Sequence, residues 1–165
     1  MKKSFKVTIA TLYATSYAAL TILQTISMGP LTYGPIQVRL SDALLPTAMV
    51  TGIPAAIGLA IGCIIANMYY YLSPLDVVLG SIANFIAAYL SYKFSKGKAI
   101  VAGLLSAVSV ALIVGTYLSY LFNLNIFIVI LWVGVGEFIS TVLIGVPLTK
   151  ALEKAFKDHL RELIK

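Results

Sequence analysis

The stretch SDALLPTAMVT, residues 41–51, decides how often this 165-residue chain crosses a membrane. It is apolar but short for a span, and Gly52 and Pro54 separate it from the next apolar run. Read together with that run it makes roughly 32 residues, about 48 Å of α-helix at 1.5 Å per residue. That length is too great for one span of about 30 Å and too small for two, so other residues must settle its path.

The composition is that of an integral membrane protein. Hydrophobic residues make up 60% of the chain and charged residues only 11%, and the mean hydropathy is +0.97. These values exclude a soluble globular domain, which carries about 25% charged residues, and they exclude intrinsic disorder. Because a spanning helix takes about 20 residues, the chain has room for about six, and residues 1–165 are predicted to form a single transmembrane domain.

Five apolar runs are long enough to span a bilayer by themselves. They are residues 5–27, 54–72, 75–92, 99–122 and 126–148. Ser-Pro at 73–74, Lys-Gly-Lys at 96–98 and Asn-Leu-Asn at 123–125 predict the turns between them. Residues 28–39 contain two Gly-Pro pairs and are predicted to form an irregular loop.

The basic residues settle the path of residues 41–51. They form three groups: Lys2, Lys3 and Lys6; Lys93, Lys96 and Lys98; and Lys150, Lys154, Lys157, Arg161 and Lys165. All three groups lie on one side of the membrane only if residues 41–51 cross most of it. Eleven of the twelve basic residues are then cytoplasmic and Arg39 is outside. We therefore predict an all-α cell-membrane protein with six transmembrane helices, a short or oblique second helix and both termini in the cytoplasm.

The sequence carries no motif for catalysis, metal binding or a cofactor. The Gly-Lys pair at 97–98 lacks the earlier glycine and the following Ser or Thr of a phosphate-binding loop. His159 is the one histidine, and it lies in the amphipathic C-terminal stretch among charged residues. We predict no enzyme, no metal and no cofactor, and the basic groups beside apolar runs set orientation and do not bind nucleic acid.

The few polar residues inside the spans are candidates for a binding site, because ionisable groups are costly in a bilayer. They are Arg39, Asp42, Asn67, Asp76, Asn84 and Glu137. All are predicted in the outer half or near the middle, which indicates a pocket that opens outward. Structural alternatives remain open: an interfacial Arg39–Asp42 ion pair, a helix N-terminal role for Asp76, and helix–helix bonds for the two asparagines. Glu137 has no evident basic partner, which favours a ligand or proton role.

Small residues recur every four positions on two helices. Ala10, Ala14 and Ala18 form one such stripe, and a second begins at Gly58 and Gly62. Such stripes let another helix approach closely. We expect internal packing for the second stripe, and for the alanine stripe either internal packing or contact with another subunit.

The run GPIQVRLSDALLP, residues 34–46, resembles the signature of the QueT family of proposed queuosine-precursor transporters. Family members commonly have Glu at the position of Asp42, so this chain keeps the charge on a shorter side chain. Segments at 62–67, 76–81, 136–137 and 145–147 also resemble the family in the same order.

The resemblance implies a substrate-binding S component of an energy-coupling factor (ECF) importer. In such a complex, Ala10, Ala14 and Ala18 would contact a transmembrane coupling subunit that two ATPase subunits drive. The implied ligand is a 7-deazaguanine such as preQ1, preQ0 or queuine. Glu137 suits the N–H donors of its guanine-like edge, and Asn67, Asn84 or Gln37 suit its carbonyl and ring nitrogens. Arg39 and Asp42 complete the predicted site.

Three other functions fit the sequence. A solo carrier or channel would need no ATPase subunits, and the alanine stripe would then be buried internally. A membrane scaffold would use Glu137 in an internal polar network without a ligand. An S component for another vitamin or base would keep the same architecture.

Overall fold

The computed structural model describes residues 3–35 and 37–163, without the side chains of Pro30 and residues 157–163. Lys2 and Lys165, which contribute to the charge argument, lie outside the described residues, as do the side chains of Lys157 and Arg161. Throughout the described part the regular structure is helical and contains no strand. The predicted all-α class is therefore confirmed.

The helices follow the predicted runs closely. They are α1 (Lys3–Met28), α2 (Ala48–Thr51), α3 (Ile53–Tyr69), α4 (Pro74–Phe94), α5 (Ala99–Leu121), α6 (Ile126–Glu137) and α7 (Gly145–Leu163). A 3₁₀ turn at Gly29–Thr32 follows α1, a 3₁₀-helix at Leu40–Thr47 leads into α2, and a π-helical segment at Phe138–Ile144 joins α6 to α7. Within the described residues, four helical stretches are long and apolar enough to cross a membrane: Lys3–Met28, Pro74–Phe94, Ala99–Leu121 and Ile126–Phe156.

The stretch around residues 41–51 is a short helix, as the sequence predicted, and it is of mixed type. Eight residues are 3₁₀-helical and the next four are α-helical. A 3₁₀-helix rises about 2.0 Å per residue and an α-helix about 1.5 Å, so together they extend about 22 Å. Their combined length corresponds to most of a hydrocarbon layer of about 30 Å. Gly52, at φ +77°, then turns the chain into α3.

Helix α1 packs against α3, and α3, α4, α5 and α6 pack in chain order, while the 3₁₀-helix Leu40–Thr47 contacts α1, α4, α5 and α7. Close approach depends on glycine. A methyl group on Gly62 would lie 2.6 Å from the Ala14 carbonyl oxygen and 2.8 Å from the Tyr17 Cβ, and one on Gly58 would overlap the Ala10 carbonyl oxygen. The second small-residue stripe therefore packs α3 against α1, as expected.

The buried interior contains many polar side chains. Large apolar side chains such as Leu23, Ile26 and Leu131 are exposed on the outside, where lipid would contact them. Inside, three acids and one arginine are almost completely buried: Asp42, Asp76, Glu137 and Arg39. These four buried ionisable residues define the candidate site.

Candidate functional site

Asp76 is held at the start of α4 by bonds from three elements. Its backbone N–H donates to the Ser73 Oγ at 3.1 Å, so Ser73 caps the helix, and Pro74 occupies the first turn without losing a hydrogen bond. The Tyr117 hydroxyl of α5 donates to Asp76 Oδ1 at 2.6 Å. The Asn67 amide of α3 donates to the Asp76 carbonyl oxygen at 2.8 Å. Asp76 is fully buried, and its second carboxylate oxygen, Oδ2, has no hydrogen-bond partner.

Arg39 joins the outer loop to this acid. Its Nε donates to the Thr32 carbonyl oxygen at 2.9 Å, one terminal nitrogen donates to Asn67 Oδ1 at 3.5 Å, and the other lies 3.9 Å from Asp76 Oδ1. The guanidinium carbon lies 4.5 Å from the centre of the Tyr33 ring. Arg39 is only 4% exposed, so its charge is compensated chiefly by Asp76 and by the face of this ring.

Asp42 and Glu137 form a second acidic centre. The Tyr17 hydroxyl of α1 donates to Asp42 Oδ1 at 2.6 Å. The carboxyl group of Asp42 neighbours the Glu137 carboxyl group at the end of α6. Both residues are 1% exposed, and Glu137 Oε2 has no hydrogen-bond partner. A buried carboxylate oxygen without a donor is costly, and in this protein it faces a neighbouring acid.

An extended segment at residues 37–39 brings Gln37 beside Glu137. Gln24 of α1 fixes this segment, since its amide donates to the Val38 carbonyl oxygen and its Oε1 accepts from the Leu40 N–H at 2.8 Å. Gly136 allows the close approach: an added methyl group would overlap the Gln37 carbonyl oxygen and lie 2.9 Å from its carbonyl carbon. Gln37 is 2% exposed and its Oε1 is unpartnered.

Asn84 lies deeper, ten residues along α4 from Pro74, or about 15 Å at 1.5 Å per residue. Glu137 lies eleven residues along α6 from Ile126. Asn84 is 2% exposed, and its amide nitrogen has no hydrogen-bond partner. Asn84 is thus a buried residue with an unused donor, and Glu137 is one with an unused acceptor.

A family model described as QueT transporter matches residues 7–154 of the chain. The chain belongs to the QueT transporter family. No curated protein and no solved structure gave a significant match. The resemblance that the sequence predicted is therefore confirmed, and the buried polar centre lies in a membrane transporter.

In this QueT-family protein five of the six predicted binding residues, all but Asn84, lie in two connected groups. Arg39 and Asn67 belong to the Asp76 group, whereas Gln37, Asp42 and Glu137 form the other. The two groups are joined through the backbone, because Arg39 and Asp42 lie at the start of the same 3₁₀-helix. The possible Arg39–Asp42 ion pair is not what anchors the loop: Arg39 pairs with Asp76, while Asp42 accepts from Tyr17.

The alanine stripe of α1 faces the interior of the chain. Ala14 and Ala18 are 8% and 7% exposed, and the carbonyl oxygens of Ala10 and Ala14 point at Gly58 and Gly62 of α3. The glycines have no side chain to hold the two helices apart, so the stripe is used within the chain. A coupling subunit that contacted the Ala14 and Ala18 side chains directly would first have to separate α1 from α3.

Sequence reasoning missed the tyrosines and underrated Asp76. Tyr17 and Tyr117 lie inside apolar helices that contain many aromatic residues, and nothing in the pattern marks them as partners of acids. Asp76 was assigned to the helix start, and that role is real, but its carboxylate also receives Tyr117 and faces Arg39. An acid that needs only to interact with a helix terminus can remain at the surface, so its complete burial is the informative feature.

Proposed function

We propose that this protein is the substrate-binding S component of an ECF-type importer and captures a 7-deazaguanine such as preQ1, preQ0 or queuine from outside the cell. Separate subunits would supply the energy: a transmembrane coupling subunit and two ATPase subunits. The positive-inside distribution of the eleven basic residues supports cytoplasmic termini and therefore an outward-facing polar centre.

The observation that carries the proposal is the unpartnered Oε2 of Glu137. This oxygen is buried in the interior of a transport protein, where an unused acceptor costs about 1–3 kcal/mol and more when it is charged. A ligand that donates to it would recover that cost. The N–H and NH₂ groups of a guanine-like edge are paired donors, and a carboxylate can accept both.

The surrounding polar atoms support the same class of ligand. The unused amide nitrogen of Asn84 is a donor for the ring carbonyl oxygen, and Gln37 Oε1 is an acceptor for a further ring N–H. Asn67 and Arg39 are already bonded to each other and to Asp76. Their proposed role is therefore to hold Asp76 and the loop before the 3₁₀-helix in place. Asp42 lies beside Glu137 and completes the centre.

A ligand panel on the purified full-length protein tests the proposal. Thermal unfolding would be followed with preQ0, preQ1, queuine and guanine, and with riboflavin and thiamine as unrelated vitamins. A ligand that binds only the folded state raises the midpoint by mass action, so we expect stabilisation by at least one 7-deazaguanine and none by the two vitamins. Stabilisation by a vitamin alone would favour another S component, and no response to any compound would favour a scaffold.

For the coupling subunit we propose contact along α1, next to the alanine stripe. Thr11, Thr15 and Ala19 also repeat every four residues, and they are exposed. The Thr15 hydroxyl bonds to carbonyl oxygens of its own helix, and this row of small side chains is suited to helix packing. Thr15→Trp should abolish co-purification with the coupling subunit and leave ligand-induced stabilisation intact. Unchanged co-purification, or ATP-independent uptake by this chain alone in liposomes, would contradict the coupled mechanism.

A further inference from the structure

The charges of the buried centre do not balance. Within the described residues, three acids are at most 1% exposed, namely Asp42, Asp76 and Glu137, and Arg39 is the one basic residue buried with them. Three negative charges and one positive charge leave two in excess. A proton shared between the Asp42 and Glu137 carboxyl groups would still leave one negative charge in excess. Uncompensated charge in a membrane interior is costly, so the centre is suited to a cation.

The unpartnered atoms independently indicate a donor-rich ligand. Among the buried side-chain atoms without a hydrogen-bond partner, three are pure acceptors: Gln37 Oε1, Asp76 Oδ2 and Glu137 Oε2. The amide nitrogen of Asn84 is the single pure donor in that set, and the others are hydroxyl groups, which can donate or accept. Gln37 Oε1 and Glu137 Oε2 are the proposed acceptors of ring N–H groups. A protonated amine has two or three N–H donors and no acceptor, so it suits the excess negative charge of the centre.

The two acidic centres differ in what already compensates them. Asp76 faces the Arg39 guanidinium at 3.9 Å and accepts from Tyr117. Asp42 accepts from the Tyr17 hydroxyl and neighbours another acid, Glu137, and among the described side chains no basic group donates a hydrogen bond to either. The excess negative charge therefore lies on the Asp42–Glu137 pair.

We infer that Asp42 makes this site selective for 7-deazaguanines that carry a positively charged amine on the 7-substituent. The inference rests on the function proposed above, in which Glu137 accepts from the guanine-like edge. Asp42 then provides the counter-charge for the amine, as in preQ1 or queuine, and a neutral substituent such as the nitrile of preQ0 leaves the excess charge uncompensated. The site would thus recognise the 7-substituent as well as the purine-like ring.

Calorimetric titration of the full-length protein with two matched ligands tests this at neutral pH, where an alkylamine is protonated. The ligands are preQ1 and 7-methyl-7-deazaguanine, which keeps the ring and lacks the amine. We expect preQ1 to bind about ten- to a hundredfold more tightly, the value of a charge-assisted hydrogen bond. Equal affinities would overturn the inference and leave the proposed function standing, whereas binding of neither ligand would overturn both.

Variants of Asp42 test whether its charge causes the preference for preQ1. Asp42→Asn keeps an oxygen for the Tyr17 hydroxyl and should reduce the preQ1 preference to about one. Asp42→Glu keeps the charge and should retain a preference for preQ1. If Asp42→Asn is folded and still prefers preQ1 as strongly as the parent, Asp42 is not the selective group. If Asp42→Asn fails to fold, Asp42→Glu provides the test. An Asp42→Glu protein that binds the neutral ligand but has lost the preference for preQ1 would count against the role of Asp42.

Discussion

Gly136→Ala is the substitution that most sharply tests how the site is built. An added methyl group would overlap the Gln37 carbonyl oxygen and lie 2.9 Å from the carbonyl carbon. The obstacle is backbone, held in place by Gln24 of α1, so it cannot swing aside as a side chain would. We expect the segment at residues 37–39 to be displaced from α6 by roughly 1 Å, taking Gln37 away from Glu137 and weakening ligand binding.

Gly134→Ala is a matched control on the same helix. Its added methyl group would lie 3.6 Å from the Ala111 Cβ, an ordinary van der Waals contact. Both substitutions gain the helix propensity of alanine, about 1 kcal/mol, so this gain cancels when the two variants are compared. The remaining difference is the steric cost at Gly136. Overpacking of a filled site costs about 1–3 kcal/mol, and the rigid backbone places this case near the upper value.

Thermal unfolding of both purified variants measures that difference. At about 2–4 °C per kcal/mol for a chain of this size, a cost of about 3 kcal/mol lowers the midpoint of Gly136→Ala by about 6–12 °C relative to Gly134→Ala. Ligand-induced stabilisation should be lost or much reduced in Gly136→Ala and preserved in Gly134→Ala. Equal midpoints and equal ligand responses would refute the claim that Gly136 seats the Gln37 segment against α6.

Three further substitutions test the network and its supports by thermal unfolding. Tyr117→Phe removes the donor to a fully buried carboxylate and should cost about 1–3 kcal/mol, whereas Tyr120→Phe, at an 80% exposed position, should change nothing; equal effects would argue against the bond. Ser73→Ala removes the cap of α4 and should cost about 1 kcal/mol, so an unchanged midpoint would contradict the capping role. Gly62→Ala should force α1 away from α3 and lower both stability and ligand affinity. An unfolding midpoint as high as that of Gly134→Ala would show that α1 and α3 are not in close contact at Gly62.

The helices were predictable because each is either a long apolar run or ends at a recognisable break. The Ser-Pro pair at 73–74 caps and opens α4, and Asn125 accepts from the N–H groups of the first turn of α6, as the turn residues indicated. The distribution of basic residues predicts the short second helix. Its 3₁₀ geometry was not predictable, because an apolar stretch with one proline fits either kind of helix.

The polar residues of the site were predictable, but their partners were not. Burial of an acid or amide in an apolar segment is visible in sequence, and that signal identified Asp42, Asn67, Asn84 and Glu137. Pairing depends on which helix faces meet, and an interior with several tyrosines offers many possible donors. The partner of the alanine stripe was not predictable either, since a small-residue pattern does not reveal whether the approaching helix belongs to the same chain.

The central claim is that the buried carboxylate of Glu137 binds the guanine-like edge of a 7-deazaguanine. Calorimetric titration of preQ1 into the parent and into Glu137→Gln tests it most directly, with thermal unfolding used to show that the variant is folded. The amide keeps the size of the side chain but replaces one acceptor oxygen with a donor, so we expect affinity to fall by at least about tenfold, or about 1.4 kcal/mol. A folded Glu137→Gln protein that binds preQ1 as tightly as the parent would contradict the claim.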